Sequence, residues 1–160
     1  MMKRYLFWLL LSVVLWVGCG GDSPASPGDL VIEDVQANMA LPSETGSVWL
    51  VIRNEMNEAE TLTGAAVPGC GVVELHDMVM EDDVMMMREV AGGEIVIPAG
   101  ETMELKKGGL HVMCMQKEGP LEVGSELEIT LNFAVVGDWQ VTATVVEPSG
   151  EQMDHGGHGG

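Results

Sequence analysis

Short runs of alternating apolar residues, each cut off by turn-forming residues, fill the chain from Asp29 onward and leave little but a β-fold open to it. In Leu127-Glu128-Ile129-Thr130-Leu131-Asn132-Phe133 every large apolar side chain falls on one face of an extended strand. Trp139-Gln140-Val141-Thr142-Ala143-Thr144-Val145 does the same. The spacing predicts strands at 31–35, 47–53, 72–80, 84–90, 94–97, 102–105, 110–115, 126–133 and 140–146. Turn chemistry separates them, at Pro42 to Gly46, Pro68-Gly69, Glu81-Asp82-Asp83, Gly92-Gly93, Pro98-Ala99-Gly100, Lys107-Gly108-Gly109, Gly119-Pro120 and Gly137-Asp138. No window of 12 or more residues carries a helical stripe. The expectation is one all-β domain over residues 29–148, a sandwich or barrel with Greek-key connections; 160 residues hold no second one.

The N-terminus reads as export machinery. Lys3 and Arg4 precede an apolar run from Tyr5 to Val17 broken only by Ser12, too short for the ~20 residues of a comfortable membrane span. Residues 1–18 are therefore expected to be a signal peptide. Leu15-Trp16-Val17-Gly18-Cys19 resembles a bacterial lipobox, with Trp16 where Leu is usual, so Cys19 is the expected lipidation site and the membrane is reached through a lipid anchor. Residues 19–28, rich in Gly, Ser and Pro, then form a flexible tether. The protein is placed in the periplasm or cell envelope.

Charge excludes one class of partner. The chain has 7 Lys+Arg against 25 Asp+Glu, and loss of Lys3 and Arg4 leaves five, a net charge of −20 for the mature form. Such a chain repels a phosphate backbone, so no nucleic-acid role is expected. With Cys19 acylated, Cys70 and Cys114 remain as an even pair that an oxidising compartment lets form a disulfide. Cys114 follows Met113 and so faces the other side of its strand.

Methionine is the anomaly. Of eleven beyond Met1 and Met2, nine lie between Met56 and Met115. On strands, His76, Met78 and Met80 share a face, Met85 and Met87 share one on the returning strand, and His111, Met113 and Met115 share another. A single Met in such a chain is ordinary core filling. Two His-x-Met pairs are different, because imidazole beside thioether suits a soft cation such as Cu(I), whereas zinc more often takes Cys or additional His. No nucleophile motif accompanies either histidine, and a hydrolytic enzyme is not expected.

The segment from Val73 through Arg88, then Ile97-Pro98-Ala99-Gly100 and Gly109-Leu110-His111-Val112-Met113, resembles the periplasmic copper chaperone family PCu(A)C over about residues 30–146. That family's pattern is His, ten residues, Met, about twenty-one residues, His, one residue, Met. Here ten residues separate His76 from Met87, 23 separate Met87 from His111, and one separates His111 from Met113. The two additional residues are expected in the loop at Ala91-Gly92-Gly93. The resemblance implies a cupredoxin-like fold, a Cu(I) site built from His76, Met87, His111 and Met113, and delivery of copper toward the binuclear centre of cytochrome c oxidase. The implied partner is an oxidase subunit or another copper chaperone, and no reaction is catalysed. Met78 is a possible accessory ligand; of Met78, Met80, Met85, Met86 and Met115, most are expected to pack.

Residues 149–160 form a Gly-rich tail in which Met153, His155 and His158 are candidate accessory ligands, the imidazoles suiting Cu(II). The rival reading from another class is an exported β-sandwich lipoprotein that binds a protein partner with its Met-rich face and holds no metal.

Overall fold

The computed structural model describes residues 30–147. The expected signal peptide, the tether with Cys19, and the tail with Met153, His155 and His158 lie outside the described residues. Ten strands make up the body: β1 (Leu30–Asn38), β2 (Thr45–Asn54), β3 (Glu60–Ala66), β4 (Cys70–Glu81), β5 (Val84–Glu89), β6 (Ile95–Ile97), β7 (Thr102–Leu105), β8 (His111–Lys117), β9 (Glu126–Phe133) and β10 (Gly137–Val145). They join in one sheet in the order β5-β4-β8-β2-β1-β10-β9-β3-β6, with β7 paired to β2. The β1–β10 pair is parallel and the others are antiparallel. The sheet is open, ending at β5 and β6.

One hydrophobic cluster draws buried side chains from every strand except β5, so the sheet folds over onto itself as a sandwich around a shared core. In β9, Ile129, Leu131 and Phe133 are buried, as their alternation requires. In β2, Val48, Leu50 and Ile52 form the same kind of row. Two backbone features shape these strands. A β-bulge sits in β1 between Glu33 and Gln36, where Asp34 takes a φ of 52°. Gly46 leaves room for the core residue Met39, whose sulfur would lie 2.3 Å from any Cβ added there.

Nine of the strands lie where alternation places them; β3 does not. Its sequence, Glu-Thr-Leu-Thr-Gly-Ala-Ala, holds one large apolar residue and reads as loop. Tertiary pairing creates it. Leu62 pairs with both Phe133 of β9 and Ile95 of β6. The buried Glu60 carboxylate accepts hydrogen bonds from the backbone N–H groups of Thr61 at 2.7 Å, Val135 at 3.0 Å and Val136 at 3.0 Å. That carboxylate ties the start of β3 to the β9–β10 turn.

The β4–β5 hairpin projects beyond the core. Its two-residue turn, Asp82-Asp83, has φ of 50° and 63°, both left-handed, as the turn type matched to strand twist demands. After β5 a short 3-10 turn spans Ala91–Gly93, with Gly92 at φ 81° and Gly93 at φ 70°. Only glycine adopts such angles freely.

Candidate metal centre

Strand parity separates two functions on β4 and β8. Leu75 and Val112 are partners across the pair and are buried in the core. The residues between them face the other way, so His76 stands directly opposite His111, and Glu74 opposite Met113. The two imidazole centroids are 6.0 Å apart with the rings tilted by 58°. His111 is buried and the His76 side chain is only 13% exposed.

Each ring is held by one nitrogen. His76 Nε2 lies 2.8 Å from Glu74 Oε2, and His111 Nδ1 lies 2.8 Å from the Gly109 carbonyl oxygen. A carboxylate and a carbonyl only accept, so in both rings the anchored nitrogen carries the proton. In the neutral form of each ring the remaining nitrogen, His76 Nδ1 or His111 Nε2, carries the lone pair. His76 Nδ1 is buried and has no hydrogen-bond partner. A buried polar atom left this way costs about 1–3 kcal/mol. Anchoring one imidazole nitrogen on oxygen while the other is left open is how metal-binding histidines are commonly oriented.

Met113 lies on the same face as His111, two residues along β8. Met87 lies on the other side, on β5, where it pairs with Met78, itself two residues along β4 from His76. The imidazole pair is therefore central, with Met113 on one flank and Met87 beside Met78 on the other. Successive same-face residues are about 6.8 Å apart along a strand, a gap that a methionine with three side-chain torsions spans. Among the described residues, no group of three or more His, Cys, Asp or Glu side chains converges as a metal site. The thioethers that share this face with the two imidazoles, those of Met113, Met78 and Met87, are donors that suit soft cations.

The structure corrects one expectation and supplies partners the sequence reading lacked. Met80, Met85 and Met86 do not pack; they are exposed on the hairpin, as is Met87. Met78 and Met115 are half-buried. Glu74 is the missed residue of most consequence; its position two residues before His76 on the same strand face was the available signal. The Gly109 carbonyl leaves no such trace in sequence. Cys70 and Cys114 form a disulfide, with Cα atoms 5.5 Å apart, and Cys114 is buried on the core face behind the imidazoles.

Residues 30–145 match the LpqE-like family, described as "Putative lipoprotein LpqE-like". The chain is 30% identical over 147 residues to "Putative lipoprotein Lxx21020" of Leifsonia xyli subsp. xyli, covering 88% of this chain and 87% of that protein. In structure it is similar to the apo PCuAC domain from PmoF1, with a TM-score of 0.63, 22% identity, and 76% and 96% of the two chains covered. The copper-bound PCuAC domain from PmoF2 gives a TM-score of 0.63 at 20% identity, covering 78% and 97%. The Cu(I) form of DR1885 from Deinococcus radiodurans gives a TM-score of 0.58 at 27% identity, covering 79% and 85%. The chain belongs to the LpqE-like family, and its body has the cupredoxin-like fold of the PCuAC domains.

Proposed function

We propose that this protein is an exported copper metallochaperone that holds Cu(I) between His76 and His111, with Met113 and Met87 as thioether ligands. The observation that carries the reading is the opposed imidazole pair, each ring anchored to oxygen through one nitrogen, with His76 Nδ1 buried and unpaired. A bound soft cation satisfies that nitrogen without a proton. The copper-bound relatives of the same fold support the choice of cargo. The ion is carried by reversible ligation, and no reaction is catalysed.

The lipoprotein relatives support export and anchoring at the cell envelope, and Cys19 is the residue we assign to the lipid. Delivery to a copper-accepting protein, a cytochrome c oxidase subunit or another chaperone, follows from the resemblance of the ligand pattern. The tail, through His155 and His158, captures Cu(II) and raises copper concentration near the folded site.

Competition for Cu(I) against a chromogenic chelator tests the site. Met113→Leu and Met87→Leu keep side-chain volume and apolarity, so the fold is retained while Cu(I) affinity falls in each. Parent-like affinity in both variants refutes the ligand assignment.

A further inference from the structure

The β4–β5 hairpin carries more thioether than the imidazole-centred site uses. Met80 pairs directly with Met85, and Met78 with Met87, so four methionines form two consecutive rungs on the face that also holds His76. Directly opposed side chains have Cβ atoms about 4.5–5.5 Å apart, and the flexible methionine chain lets the two sulfurs of a rung converge on one ion. Core filling does not explain the outer rung. Met80 is 64% exposed and Met85 48% exposed, and β5 gives no residue to the hydrophobic cluster. The rung is separated from the Asp82-Asp83 turn by the Glu81–Val84 pair alone, near the end of β4 farthest from Cys70.

We propose that Met80 and Met85, backed by Met78, form a second, thioether-only site for monovalent soft cations at the hairpin tip, from which Cu(I) passes along the methionine face to the imidazole pair. The passage is ligand exchange; copper stays Cu(I) throughout and no electron or proton is transferred. Neutral thioethers offer weaker, more labile ligation than a set containing imidazole, which fits a landing site exposed to donor and acceptor proteins. The destination of the ion rests on the function proposed above, whereas the tip site stands or falls by itself.

Silver(I), which matches Cu(I) in charge and softness and does not change oxidation state in air, is the probe. The full mature chain, labelled with 13C at the methionine methyls, is titrated with Ag(I) as the parent and as the His76→Ala/His111→Ala variant. In the double variant the Met80 and Met85 methyl resonances should move together and saturate, while that of Met86, on the opposite face, stays in place. Methyls of Met80 and Met85 that do not move, or move no more than Met86, overturn the tip site, and leave the rung as an apolar contact for a protein partner. If the double variant fails to fold, the parent carries the test: Met113 and the Met80/Met85 pair should saturate at different Ag(I) additions. One shared transition overturns a separate site. A response at Met80 and Met85 with none at Met113 keeps the tip site and refutes the imidazole-centred one; the reverse refutes the tip alone.

Discussion

Replacing Glu74 separates anchoring of the His76 ring from ligation by it. The Glu74 carboxylate lies 2.8 Å from His76 Nε2 and is 34% exposed, so its loss leaves no cavity in the core. Removal of an oxygen partner of a ligating histidine typically lowers metal affinity by about 10- to 100-fold, or roughly 1.4–2.7 kcal/mol. The partial exposure of this pair places Glu74→Leu in the lower half of that range, at roughly 10- to 30-fold. Glu74→Gln keeps an acceptor oxygen for Nε2–H and loses only the charge; since charge-assisted hydrogen bonds are about twice as strong as neutral ones, it should cost about fivefold or less. The assay is competition for Cu(I) against a chelator of known affinity, with urea unfolding of both variants to show that the fold is kept. An order parent > Gln > Leu supports ligation through Nδ1 with Nε2 held. Equal affinities in all three refute it, because a ring that has lost its anchor without loss of affinity was not positioned by it.

Three further outcomes are expected. Reduction, or the Cys70→Ala/Cys114→Ala variant, should destabilise the domain by roughly 2–4 kcal/mol in urea unfolding; two free thiols by alkylation and intact mass in the aerobically purified protein would remove the premise. Glu60→Gln turns an amide NH2 toward at least one of the three backbone N–H groups that the carboxylate now accepts, and should cost roughly 2–4 kcal/mol, whereas a loss under about 0.5 kcal/mol shows that the β9–β10 turn does not need it. Stopping the chain at Gly150 should lower Cu(II) stoichiometry, read by titration of the mature protein, and leave Cu(I) affinity unchanged; equal Cu(II) uptake refutes a copper-binding role for His155 and His158.

Much of this molecule was legible in one dimension. Alternation located β9 and β10 because a half-buried strand writes its two faces directly into the residue order. The same parity put His76 with Met78, and His111 with Met113, before any pairing was known. The Asp82-Asp83 turn was legible because aspartate tolerates the left-handed conformation and the strands on either side are continuous. What could not be read were relations between distant segments. Strand β3 exists because Phe133 and Ile95 flank Leu62 and because Glu60 meets the β9–β10 turn, and none of those partners lies nearby in sequence. Packing is the expectation for most of Met78, Met80, Met85, Met86 and Met115, since an isolated Met usually fills a core; the place of the β4–β5 hairpin at the edge of the sheet leaves Met80, Met85 and Met86 exposed. The site itself divides the same way. Residue type and spacing supplied the proposed donors, but the register that sets His76 against His111, rather than one residue to either side, follows from burying Leu75 against Val112. A slip of one residue in either strand would turn its imidazole toward the core, so the apolar face of the sheet holds the proposed copper ligands in register.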